Sequence, residues 1–500
     1  MKAVLVLLSC LILASPSFAR AGKGIFNCGG YPRGADYGRT DPNVAGKEIM
    51  FEWREIEPED GVYNWKLIDD EIKPWADAGK VVAIRIMSAC NDGSASPMWL
   101  FEKCGVPMVD STKYSASSII FPVFWNATFE RKHAEMVREL AKRYDGHPNV
   151  EFVQVSGVGR WEETYVHTEN DAMSKRWQEL GYTHERYIAH CKRMVDVYLS
   201  CFRKTPVLLS ISIGGPDPKT SDRKPIGYAL ADYAVKHGLY IKQNGMGSFY
   251  SYTDHDHFSR IFTDLRGKAI RAYEQGAPVA APYSWERSTV RSDINRALID
   301  CPDYLWIYEC DLGNPAFAKD VEFAAKHLSM KSYRDAGPLY IRFKQLKGYH
   351  TNPNLIDDEF YGLINRWSIH PWPEKSKLEP ATIDGVECKT TSPEFPYVYL
   401  DLEDSAIIQE SGGSNFIKRG TMDITFWDEG TDEVTAEYNH TPSGFASKAS
   451  FARTNEKRWR TVRVVLEDMK FETTLSVPEQ DFRISAGDGK LAVEKVTLGF

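Results

Sequence analysis

Two hydrophobic periods alternate along the chain as far as Tyr308. Glu48 to Trp53 is a short apolar run. It breaks at Pro58 and turns at Asp60-Gly61, both strong local punctuators. From Trp65 to Ala78 the apolar residues fall at 65, 67, 68, 72, 75 and 76, the spacing of an amphipathic helix. A second run, Val81 to Ile86, follows, so the order is strand, loop, helix, strand. The same alternation continues. Strands are predicted at Gly24–Cys28, Val150–Val155, Val207–Ile211, Leu239–Gln243, Pro278–Tyr283 and Tyr304–Tyr308. Helices are predicted at Thr128–Tyr144, Tyr187–Cys201, Gly227–His237, Asp256–Gln275 and Ser288–Ile299. Eight strands in βα alternation predict an α/β fold, a (β/α)8 TIM barrel spanning about residues 20–375. A doubly wound sheet alternates in the same way, but the chain lacks the glycine-rich phosphate loop that such sheets carry.

The texture changes near Ile369. Pro371, Pro373 and Pro380 cluster with Lys375 and Lys377. Beyond Val386 come short alternating runs, among them Tyr397–Leu402, Met422–Phe426, Glu433–Tyr438, Trp459–Leu466 and Leu491–Leu498. They predict an all-β sandwich over residues 380–500. At the other end, Lys2 precedes an apolar run from Ala3 to Ala14 and then Pro16-Ser17-Phe18-Ala19. This pattern predicts a signal peptide over residues 1–19 and an exported protein, periplasmic or extracellular. The run is too short to span a bilayer, and no later segment is apolar for long enough. Eight cysteines follow the leader, and a Cys90–Cys104 disulfide is expected to close one loop. There is no C-x-x-C pair, which argues against a zinc ribbon or a redox dithiol. A net charge of −8 argues against a nucleic-acid or anionic-membrane partner.

Two stretches resemble a known group. Trp53-x-x-Ile56-Glu57-Pro58-x-x-Gly61-x-Tyr63-x-Trp65, followed by Gly79-Lys80-x-Val82-x-Ile84-Arg85-Ile86, is similar to the second and third strands of retaining glycoside hydrolases. That clan of (β/α)8 enzymes includes β-galactosidases and agarases. The tail from Arg458 to Phe471, with Asp481-Phe482-Arg483-Ile484, resembles the jelly-roll, carbohydrate-binding-like modules of bacterial glycoside hydrolases. The resemblance implies a polysaccharide or oligosaccharide substrate, β-galactoside-like in type. An aromatic share of 12% suits stacking on sugar rings.

A glycosidic bond yields to two carboxyl groups, one protonating the leaving oxygen and one attacking the anomeric carbon. In a barrel they belong just past strand ends. After the fourth predicted strand stands Gly157-Val158-Gly159-Arg160-Trp161-Glu162-Glu163. Relatives read G-x-G-x-W-G-E there, which aligns Glu163 with the acid/base. Glu162 replaces the glycine and is the alternative. The resemblance places the nucleophile after the seventh strand, where Glu286 is the only nearby acid; Glu309, past the eighth strand, is the fallback. Trp53, Arg85, Trp161, Asn244, Tyr250, Trp285 and Trp306 are substrate-positioning candidates at strand ends. Arg85 has two readings, pairing with Glu52 or Glu55 or clamping an anionic sugar substituent. No H-E-x-x-H, G-x-S-x-G or P-loop pattern is present. No catalytic metal or cofactor is expected; by analogy with similar modules the sandwich has room for a structural calcium. The competing readings are a glycan-binding barrel without chemistry and a polysaccharide lyase.

Overall fold

The computed structural model describes residues 23–29, 36–90, 93–115, 117–211, 224–246, 265, 267–275, 278, 290, 294, 297–298, 301–330, 339–342, 359–361, 364–365, 378–402, 416–441, 444–470 and 481–499. The signal-peptide region, Tyr250, Trp285 and Glu286 lie outside them.

Eight parallel strands close into a barrel in chain order: β1 Gly24–Cys28, β2 Val44–Glu52, β3 Val81–Met87, β4 Val150–Gln154, β5 Val207–Ser210, β6 Tyr240–Met246, β7 Arg271–Gln275 and β8 Tyr304–Tyr308. The helices around it follow from local sequence. Helix α1, Lys66–Asp77, buries Ile68, Ile72 and Trp75, spaced four and three residues apart on one face. Helix α2, Ala127–Tyr144, starts where the Asn126 side chain accepts the Thr128 and Phe129 N–H groups, satisfying donors that the helix itself cannot. Helix α3, His184–Cys201, is capped in the same way by Thr183.

One predicted element moves. The seventh barrel strand is Arg271–Gln275, which sequence periodicity assigns to the end of a helix, and not Pro278–Tyr283. The strand is polar on both faces. Glu274 points towards the axis, while Arg271 and Gln275 make buried hydrogen bonds to Cys301 O and to the Asp311 carboxylate. The apolar alternation that marks a strand is therefore missing. The expected Cys90–Cys104 disulfide is not formed, and none of the described cysteines is in a disulfide. The Cys90 thiol lies against the Glu52 carboxylate at 3.5 Å instead.

Inward side chains stack in layers along the barrel axis. Phe26, Phe152, Tyr304 and Trp306 form an aromatic floor, each at most 1% exposed, with neighbouring ring centroids 5.2–5.8 Å apart for Phe26 against the other three. Two residues past Phe26, and past Ala83, Tyr240 and Ala272 that pack with it, stand Cys28, Arg85, Lys242 and Glu274, joined by Glu48 of β2. The layer above the floor is thus charged.

Beyond the barrel the chain forms two antiparallel sheets. One contains 359–361, 339–342, 492–499, 386–390 and 379–383, with 416–427 and 459–470 attached; the other contains 364–365, 398–402, 482–486, 433–441 and 444–452. Met422, Ile424, Phe426 and Val496 of the first meet Leu400, Val434, Phe482 and Ile484 of the second in one apolar core, which makes a sandwich.

Candidate active site

The charged layer is a closed ring of two cations and two carboxylates. Arg85 Nη1 lies 3.1 Å from Glu48 Oε2 and 3.2 Å from Glu274 Oε2. Lys242 Nζ lies 3.0 Å from Glu48 Oε1 and also donates to Glu274 Oε2. Charges this deep are tolerated only when paired, and here the pairing is complete. The side chains of Glu48, Arg85 and Lys242 are at most 1% exposed; that of Glu274 is 10% exposed, so only its edge reaches the cleft. Burial alone would raise the Glu274 carboxyl, but Lys242 and Arg85 outweigh it and hold it below the ordinary range. Cys28 adjoins the ring, and burial together with Glu274 and Glu48 pushes its thiol well up. The donor atoms of Cys28, Glu48 and Glu274 lie within 4.8 Å of one another. Lys242 and Arg85 already neutralise both carboxylates, so this donor set does not fit a divalent cation.

The second carboxyl group comes from the loop after β4. Gly159 lets the backbone fold back on itself, because a Cβ there would come within 2.3 Å of the Glu163 and Tyr165 carbonyls. Trp161 and Glu162 follow with φ of 57° and 56°, a left-handed conformation that costs a residue with a side chain about 1–2 kcal/mol each. The turn is fastened to the end of β3 to offset that. Trp161 N–H donates to Ala89 O at 2.7 Å, and the Trp161 carbonyl accepts from Arg85 Nη2. Glu162 is fully buried; its carboxyl accepts from the Ser88 N–H, from Ser88 Oγ at 2.6 Å and from the Val158 N–H at 3.1 Å. Burial pushes it up to about 7 against these hydrogen bonds. Glu162 is therefore a clasp inside the protein. Glu163, next in line, is partly open, and its Oε1 accepts from Asn244 Nδ2 at 2.8 Å. Burial raises its carboxyl, with the negative charge of Glu274 acting in the same direction; the Asn244 hydrogen bond, Arg85 and Lys242 oppose it. Burial raises the Tyr308 phenol at the end of β8, and Cys28, Glu274 and Glu163 raise it further, so one residue senses both acids.

The other candidates are placed as follows. Asn244 holds Glu163, and Trp161 packs at the mouth beside Met87, Cys90 and Ala95. Trp53 and Trp306 are 0% exposed; the first donates to Glu57 Oε2 at 2.7 Å and the second belongs to the floor, so neither ring offers a face to a sugar. Arg85 pairs with Glu48 and Glu274, while Glu52 pairs with Arg54. That removes the expected Arg85–Glu52 and Arg85–Glu55 pairs and leaves Arg85 no free charge for an anionic sugar. Glu309 opens the one-turn helix Glu309–Leu312 after β8. Sequence reasoning missed Glu48, Lys242 and Glu274. A signal was present: Arg85 is a charge within an otherwise apolar strand, and Lys242 follows the apolar run Leu239 to Ile241.

Residues 47–198, from β2 through α3, match the glycoside hydrolase 42 family, described as beta-galactosidase. No curated protein matches the chain. Among solved structures, the catalytic domain of β-amylase from Paenibacillus polymyxa is similar at 10% identity and a TM-score of 0.46, covering 62% of this chain and 99% of that one. The β-galactosidase from the psychrophilic Marinomonas ef1 is similar at 13% identity and a TM-score of 0.41, covering 61% of this chain and 59% of that one. That from Rahnella sp. R3 gives 12% identity and a TM-score of 0.41, with 64% and 58% covered. The chain thus spans less than two thirds of either β-galactosidase. With the closed barrel and its carboxyl groups, the family match marks a glycoside hydrolase.

Proposed function

We propose that the protein is exported and cleaves β-galactoside-like bonds of an oligosaccharide or polysaccharide with retention of configuration, Glu274 being the nucleophile and Glu163 the acid and then the base. One observation carries this reading: two carboxyl groups share one mouth, and their surroundings push them in opposite directions. Glu274, between Lys242 and Arg85, is kept ionised, as an attacking group must be. Glu163, desolvated and beside a negative neighbour, is kept protonated to higher pH, as a proton donor must be. A pair of titratable groups driven apart in this way divides acid from nucleophile.

In the first step Glu274 attacks the anomeric carbon, the glycosidic C–O bond breaks, and the Glu163 proton passes to the leaving oxygen. In the second, Glu163 takes a proton from water, whose oxygen displaces Glu274. Glu274→Gln should lose essentially all activity on every substrate. Glu163→Gln should slow natural substrates by 10²–10⁴-fold, the usual span for general acid catalysis, yet slow activated aryl glycosides far less. Reaction of wild type followed by NMR should give the retained anomer first. Inversion would make the second carboxylate a base for water and overturn the covalent step, whereas an unimpaired Glu274→Gln enzyme would transfer the nucleophile elsewhere, with Glu286 and Glu309 next to be tested. A protein that binds polymer but hydrolyses none would be a glycan-binding barrel. The sandwich, in this reading, supplies affinity for polymer or stability, and no chemistry.

A further inference from the structure

Strand β6 touches both carboxyl groups. Lys242 bonds Glu274, and Asn244, two residues on and facing the same way, bonds Glu163. Inward positions on one strand are about 6.5 Å apart, so β6 spaces the pair. Its pairing with β7 shifts register just past Asn244, between Asn244 and Met246, and such bulges re-aim strands next to active sites. Lys242 is 0% exposed and cannot leave for water. Its ammonium is fixed on three sides, by Glu48, by Glu274 and by the Trp306 ring 5.1 Å below. Arg85 cannot replace it. Arg85 Nη1 is shared between the two carboxylates, and Nη2 is committed to the Trp161 carbonyl. The titratable and charged groups that act on Glu274 come from every side of the barrel: Cys28 from β1, Glu48 from β2, Arg85 from β3, Glu163 from the loop after β4, Lys242 from β6 and Tyr308 from β8.

We propose that Lys242 is a positioning residue that, braced by Glu48, keeps Glu274 a carboxylate aimed at the cleft and at a set distance from Glu163; this rests on reading Glu274 as the nucleophile. A retaining site needs its carboxyl groups about 5–5.5 Å apart, a tolerance that a free side chain would not hold. Removing the ammonium leaves Glu48 and Glu274 to share Arg85, so Glu274 binds a proton more readily and swings from its aim.

The test is the pH profile of kcat/KM on 4-nitrophenyl β-galactoside for wild type, Lys242→Met and Lys242→Arg. Lys242→Met should lose at least tenfold in kcat with KM changed less than threefold. Its acidic limb should move up by about one pH unit or more, the scale of an opposite charge withdrawn from a few ångströms. Lys242→Arg should bring the limb back. Lys242→Gln, which keeps a donor for both carboxylates but no charge, should show the same displaced limb even if Lys242→Met folds poorly. An unmoved limb in the folded variants overturns the role of Lys242. Trapping wild type with a 2-deoxy-2-fluoro galactoside separates the two ideas. A label on Glu274 with an unmoved limb sinks only the Lys242 assignment, whereas a label on another residue sinks the nucleophile and the Lys242 assignment together.

Discussion

Glu162 and Glu163 are neighbours with opposite duties, and stability measurements should separate them. Glu162 satisfies three donors and fastens two residues held in a left-handed conformation. Glu162→Ala should therefore cost about 2–4 kcal/mol, the penalty of stranding buried donors. Glu163→Gln keeps an oxygen for the Asn244 amide and should leave the melting temperature within a few degrees of wild type. Equal melting losses would contradict the division. Three groups, His133 and Glu162 buried and Glu130 partly so, also shape stability against pH. His133, buried against Ser156, is held down to about 3 by desolvation, so its contribution is present above its ordinary value near 6.5 and lost as pH falls. For Glu130, burial is outweighed by His190 and Arg193, which hold it near about 2; its contribution is present above about 4.5 and lost on further acidification. Glu162, raised to about 7, acts in the other sense: its contribution is present below about 4.5 and lost as pH rises through 7. The urea midpoint should be shallow between pH 4.5 and 6.5, where His133 and Glu162 oppose, and fall steeply below 4.5. In His133→Gln the shallow window should turn into a decline with rising pH.

At the scale of elements, helices announce themselves by caps and faces. Thr128–Tyr144 was legible from its period and from the Asp145-Gly146-His147-Pro148 stop, and the structure adds one residue at its start. Asn126 contributes two hydrogen bonds to the first turn, at 2.9 and 3.2 Å. Asn126→Ala should lower stability by about 1 kcal/mol, read from chemical denaturation, with catalytic rate unchanged. Strands buried on both faces, such as Val81–Met87 and Tyr304–Tyr308, were equally legible as apolar runs. β7 was not, because Arg271, Glu274 and Gln275 put charged and polar side chains where an apolar alternation would mark a strand. Local sequence rules fail most at such sites. Glu163 was picked out by its place after a predicted strand and by the resemblance carried by Gly157 to Glu163, and the structure sets it against Asn244. Glu274 and Lys242 became visible only once closure of the barrel brought distant strands together.

At the scale of the molecule, barrel followed by sandwich was legible from the change of period alone. What the pattern did not show is that 339–342 pairs with the final strand, Leu339 opposite Leu498. A chain cut at residue 375 keeps the first of these and loses the second, leaving an unpaired edge that seeks another copy. It should aggregate more than a chain cut at residue 330, which carries neither; size-exclusion chromatography of the two would decide. The charged ring has its own consequence at this scale. Glu48 and Arg85 belong to β2 and β3, in the first half of the barrel; Lys242 and Glu274 belong to β6 and β7, in the second. Within this layer each half therefore contributes one acid and one base, and the layer's charge is balanced in each half before they meet. Neither half needs the other to cancel its charge, yet each presents a dipole that only the other can complete. The layer thus joins two self-neutral ion pairs crosswise, and two separately made fragments, divided between β4 and β5, would each carry in this layer a charge pattern complementary to the other's.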